Sequence, residues 1–97
     1  MNKISIILPA FNEELTIEKT ISDFYRELPE AFIYVINNNS TDKTESIARK
    51  IYKEKKIKGE ILFESLRGKA NAIRIALRKI DSEIYVFCDA DSTYPAY

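Results

Sequence analysis

The chain has 97 residues, 45% of them hydrophobic and 31% charged, which is enough for one small core and one domain. Fifteen Lys and Arg balance fifteen Asp and Glu, so no net charge draws the molecule toward nucleic acid, and no nucleic-acid partner is expected. With no histidine and a single cysteine, His-based zinc sites, Ser-His-Asp triads and a disulfide framework are excluded, and any metal must be held by oxygen.

Residues 1–3 lead into an apolar run without a cleavage site, and the apolar runs fall far short of the roughly 20 residues that span a bilayer, so a cytoplasmic protein is expected. Ile4, Ile6, Ile7 and Leu8 read as a strand buried on both faces and ending at Pro9. From Glu14 onward Ile17, Ile21, Phe24, Tyr25 and Leu28 recur at helical spacing, with Asn12 as N-cap and Pro29 as the stop. The aromatic and β-branched segment 32–36 is a second strand, closed by the turn-forming run Asn37-Asn38-Asn39-Ser40-Thr41. Ile47, Ala48, Ile51 and Tyr52 mark a second helix, whose Lys-rich continuation over 50–58 is a solvated face. A third strand covers 61–63, and a third helix begins near Gly68 and carries Ala72, Ile73, Ala76, Leu77 and Ile80 on one face. Segment 84–88 is a fourth strand, with Cys88 expected as an inert core thiol. The order βαβαβαβ predicts an α/β fold, a Rossmann-like three-layer α/β/α arrangement with a mostly parallel sheet and right-handed crossovers.

In such a sheet the ligand crevice lies beyond the carboxyl ends of the strands, where four polar loops at 9–14, 37–44, 65–71 and 89–95 would share one rim. Asp89-Ala90-Asp91 follows the fourth strand directly and presents two carboxylates that suit a hard divalent cation bridging to a diphosphate; the plain alternative is a solvated acidic turn. Arg67-Gly68-Lys69 opens a helix and offers a phosphate cradle, against the alternative of a surface turn. Neither a Gly-x-x-x-x-Gly-Lys loop nor a Gly-x-Gly-x-x-Gly run is present, which argues against NAD-type and P-loop binding. The three asparagines at 37–39 suit recognition of a base edge or sugar hydroxyls, while with Asp42 and Thr44 they equally suit capping of the second helix.

Four stretches, Ile-Leu-Pro-Ala-Phe-Asn-Glu-Glu at 7–14, Asn-Asn-Asn-Ser-Thr-Asp-Lys-Thr at 37–44, Arg-Gly-Lys-Ala-Asn-Ala-Ile-Arg at 67–74 and Asp-Ala-Asp-Ser-Thr-Tyr-Pro at 89–95, together resemble the family 2 glycosyltransferases of the GT-A fold. The resemblance implies a site for a nucleotide-diphosphate sugar, a UDP or GDP sugar. Pro9, Phe11, Asn12 and Glu14 would lie against the nucleoside and Arg67 and Lys69 beside the phosphates. Asn38 would take the place where the family usually has a base-contacting Asp, and Asp89 and Asp91 would hold Mg or Mn on the diphosphate. The Gly-Lys segment and the Thr-Tyr-Pro at 93–95 are most similar to the branch that moves hexoses onto polyprenyl phosphate. That implies a membrane lipid-phosphate acceptor for the full-length protein, and membrane association as the variant such an acceptor would bring.

Family members continue past the acidic triplet into an acceptor-binding half that carries the general base for inverting transfer. The expectation is therefore a single unit, 1–97, equivalent to the nucleotide-sugar-binding half and truncated after the acidic triplet. It would lack a catalytic base, would not transfer sugar by itself, and would self-associate through an open sheet edge. The rival expectation is a non-catalytic nucleotide-binding remnant.

Overall fold

The computed structural model describes residues 2–88. Four strands, β1 (Asn2–Ala10), β2 (Phe32–Asn37), β3 (Gly59–Phe63) and β4 (Ser82–Phe87), alternate with three helices, α1 (Ile17–Glu27), α2 (Thr44–Lys55) and α3 (Lys69–Lys79). The sheet is entirely parallel in the order β3-β2-β1-β4. The chain thus winds outward from β1 through β2 to β3, then returns across the sheet to place β4 on the other side of β1.

Alternation along the central strands explains the layering. Ile6, Leu8, Ile33 and Val35 point to one face and pack with Ile17, Ile21 and Phe24 of α1 and Ala48 and Ile51 of α2. Ile7, Tyr34 and Ile36 point to the other and meet Ala72 and Ala76 of α3 and Ile80 just beyond it. Ile6, Ile7, Leu8, Ile33, Val35 and Ile36 are wholly enclosed, each contributing about 1.5–3 kcal/mol of burial. The small alanines of α3 let that helix lie close on β1 and β2.

Four sequence expectations shift. β1 continues through Pro9, which pairs opposite Ile36, to Ala10. Pro9 is tolerated because Ile7 and Ala10 face β4 and β2 respectively, so the missing Pro9 N–H would point past the last β1–β4 pair, Ile7 with Phe87. Helix α1 starts at Ile17, not near Glu14, because residues 13–16 form a turn in which the Thr16 and Ile17 N–H groups both donate to the Glu13 carbonyl. Asn12 is consequently not its N-cap. Third, among the described residues the outer strands are only half covered: Phe63 on β3 and Ile84 and Phe87 on β4, at the two edges of the sheet, are exposed. Cys88, for the same reason, is half-buried against the α1 and α2 face and not a core thiol.

Candidate functional site

The carboxyl ends of β1, β2 and β3 bring three loops to one rim, and hydrogen bonds stitch them together. The middle loop, 38–43, joins the other two. On its first side it grips the segment after β1: the Asn12 N–H donates to Ser40 Oγ (3.0 Å), the Glu13 N–H to Thr44 Oγ1 (2.8 Å) and the Glu14 N–H to Asp42 Oδ2 (3.2 Å). Asn12 answers by accepting the Thr41 N–H on Oδ1 at 2.8 Å. Asn12 and Asn39 both sit in the left-handed region, with φ of 51° and 60°, a conformation asparagine tolerates better than most residues.

On its second side the middle loop holds the segment after β3. Asn38 is only 4% exposed. Its Nδ2 donates to the Glu64 carbonyl (3.1 Å) and the Leu66 carbonyl (2.8 Å), and its Oδ1 accepts the Gly68 N–H (3.0 Å). Asn37 is equally enclosed, donating to Glu45 Oε1 at 2.8 Å and accepting the Ser40 N–H at 3.0 Å. Asp42 also receives the Thr44 N–H at 2.9 Å, one residue ahead of the α2 N-cap, Lys43, whose own side chain makes no cap bond.

These bonds set local charge. Burial alone would raise the pKa of Asp42, but the Thr44 hydroxyl, the Thr44 N–H and the Glu14 N–H outweigh it and hold the carboxyl below its ordinary value. Glu45 is likewise held low, first by the Asn37 amide and then by Arg49.

Above this bonded floor stand two side chains from opposite loops. The Arg67 guanidinium lies over the Phe11 ring, 4.4 Å from its centroid, and both residues are exposed. Of the expected site residues, the structure thus brings Phe11 and Arg67 into direct contact, while Asn12 and Glu14 are bonded to the loop after β2. Pro9 lies half-buried in β1 beneath the loops, and Lys69 is exposed at the first position of α3. The Asn38 amide is turned inward and makes three internal bonds. The Gly68 N–H, counted toward the phosphate cradle, is taken up by the same side chain. Asp89 and Asp91 lie outside the described residues, the last of which, Cys88, donates its N–H to the Ile7 carbonyl at 3.1 Å. Among the described residues no group of three acidic or cysteine side chains could hold a metal, and no helix is long and apolar enough to cross a membrane.

Sequence reasoning missed Asp42 and Thr44 as cross-loop acceptors. Their one signal, a Ser-Thr-Asp-x-Thr run after a strand, reads as a local cap until the neighbouring loop is in place.

Residues 5–97 match the family model described as glycosyl transferase family 2. The chain is 38% identical to protein RfbJ of Shigella flexneri over 93 residues, covering 96% of this chain and 67% of RfbJ. Among solved structures it is similar to a mannosyltransferase from Pyrobaculum calidifontis in complex with GDP-Man and Mn2+, with a TM-score of 0.87 and 31% identity over 98% of this chain and 29% of that one. It also resembles glucosyl-3-phosphoglycerate synthase from Mycobacterium tuberculosis in complex with Mn2+, UDP and glucosyl-3-phosphoglycerate, with a TM-score of 0.77 and 27% identity over 92% of this chain and 33% of that one. The chain therefore spans about two thirds of one relative and about a third of each solved neighbour. The expected GT-A arrangement of the sheet and its helices is borne out by these likenesses. With the family model covering nearly the whole sequence, the chain belongs to glycosyl transferase family 2.

Proposed function

We propose that the chain forms the donor-binding part of an inverting hexosyltransferase and takes a uridine or guanosine diphosphate sugar together with a divalent cation. The observation that carries this reading is the Phe11–Arg67 pair at the carboxyl rim of the sheet. A flat aromatic face offers a stacking surface that every nucleobase can use. The guanidinium covers one face of that ring, so the base would use the other, and with Lys69 two residues on it supplies positive charge on the side where a diphosphate would run toward the start of α3. Pro9, Asn12 and Glu14 shape the floor beneath the nucleoside. The Pyrobaculum and Mycobacterium structures, which hold GDP-Man and UDP respectively, each with Mn2+, support a donor of this class.

Asp89 and Asp91 would hold the cation. Two carboxylates in a chain without histidine make an all-oxygen donor set, which fits Mn or Mg. When bound, such a cation neutralises charge on the departing diphosphate. The chain's own residues then orient the donor: Phe11 fixes the base, and Arg67 and Lys69 fix the phosphates. A lipid phosphate as acceptor rests on the resemblance of segments 67–74 and 93–95 and belongs to this proposal, as does transfer by a longer protein that includes an acceptor-binding half.

Calorimetric titration with UDP and GDP, with and without Mn, tests the reading. Both nucleotides should bind, Mn should tighten them, and Asp89→Ala with Asp91→Ala should remove the Mn effect. Phe11→Ala should weaken both by about tenfold, the scale of a lost base–aromatic stack. Equal affinity in EDTA would remove the metal role, and no binding by the unaltered chain would overturn the donor site.

A further inference from the structure

We infer that Asn38 is a positioning residue, which holds Arg67 against Phe11 and makes no base-edge contact itself. The inference rests on the donor-site reading above and specifies how that site works. An asparagine amide carries two N–H donors and one carbonyl acceptor. Both partners of the Asn38 Nδ2 are backbone carbonyls of the loop after β3, Glu64 and Leu66, and its Oδ1 holds the Gly68 N–H. These three contacts flank Arg67 on both sides, so the side chain brackets the backbone that carries the guanidinium. The Asn38 N–H meanwhile donates to the Ala10 carbonyl at 2.8 Å, fixing the bracket to the end of β1 immediately before Phe11. Asn38 thus holds the segment that carries Arg67 where its guanidinium meets the Phe11 ring.

A carboxylate could not do this. It accepts only, and at this position it would face two carbonyl oxygens while keeping at most the Gly68 bond. The amide therefore suits the bracket, and its inward aim withdraws it from any base.

The test is a double-mutant cycle in the full 97-residue chain, reading UDP and GDP affinities for the unaltered protein, Asn38→Ala, Arg67→Ala and the double variant, at a temperature where circular dichroism shows each to be folded. If Asn38 acts through Arg67, its loss weakens both nucleotides about tenfold, the scale of removed buried hydrogen bonds. The UDP-to-GDP ratio should stay unchanged, and in the Arg67→Ala background the same change should cost less than about twofold. A ratio that moves more than about threefold, or losses that simply add, would overturn the inference. Should Asn38→Ala fail to fold, amide exchange in the unaltered protein still decides the bracket: a slowly exchanging Gly68 N–H without nucleotide supports it, and an unprotected one refutes it. Because that measurement needs no ligand, failure of the donor site and failure of the bracket are separable.

Discussion

Gly59 and Gly68 both have a positive φ, 127° and 120°, yet their surroundings differ. A Cβ on Gly59 would stand 1.9 Å from the Ile33 carbonyl oxygen, across the β2–β3 pair, and that backbone cannot move without breaking the ladder. A Cβ on Gly68 meets nothing nearer than the flexible Asn71 amide at 3.6 Å. Gly68→Ala should therefore cost the backbone strain alone, about 1–3 kcal/mol. Gly59→Ala should add an overpacking term of about 1–3 kcal/mol. Urea denaturation of the two variants checks the order, and a Gly68 variant less stable than the Gly59 variant would contradict it. Ser5 makes the opposite case. It is fully buried, opposite Phe32 and Tyr85, and its hydroxyl has no hydrogen-bond partner among the described residues. An unsatisfied buried hydroxyl is a cost without return, so Ser5→Ala should raise stability by about 1 kcal/mol. A loss on the same denaturation curve would mean that the hydroxyl finds a partner.

At the scale of elements, periodicity made the secondary structure legible because each strand and helix carries its own apolar pattern. Ile17, Ile21 and Phe24, spaced for a helix, are indeed the buried stripe of α1. Asn12 was not legible in the same way. Asparagine before a helical run satisfies a cap from sequence alone, but here its side-chain oxygen accepts from Thr41, 29 residues away. A side chain with both donors and acceptors gives no sign in sequence of whether its partner is local or distant. Asn38 shows the same limit from the other side: the excess of amides at 37–39 marked the loop as functional, while the inward aim of the side chain depends on where the loop after β3 passes. Burial of the edge strands was likewise hidden, since the apolar run at 84–86 does not reveal that β4 pairs on one side only among the described residues. The contact between Phe11 and Arg67, 56 positions apart, follows from β1 and β3 ending at the same rim, which the strand order anticipates but cannot fix in distance.

For the whole molecule, carboxylates of the loop network and of α1 link stability to pH. Asp42, Glu45 and Asp23 all have folded pKa values below their ordinary range. For Asp42 the donors of Thr44 and Glu14 overcome burial; for Glu45 the Asn37 amide is the main cause, and for Asp23 the Lys19 ammonium. Between the folded and unfolded values the folded protein binds fewer protons than the unfolded chain, so unfolding takes up protons and is favoured as the pH drops. The stabilisation is complete above the unfolded carboxylate values, at about pH 5 and higher, and is lost as the pH falls through the folded values. Thermal midpoints should accordingly be level between about pH 7 and 5.5 and decline below about pH 4.5. Asp42→Asn isolates the contribution of the rim, because an amide placed there turns an N–H toward the Thr44 and Glu14 donors or leaves one of them without an acceptor. At pH 7 that variant should be about 1–2 kcal/mol less stable, the scale of lost hydrogen bonds to a charged group. The corresponding fall in midpoint is about 5–10 °C for a domain of this size. Once the pH has fallen below the lowered value of the native carboxyl, that group is protonated too, and the two melting curves should converge. A difference that stays constant from neutral to acid would show that Asp42 stabilises the rim by shape alone and that its charge plays no part.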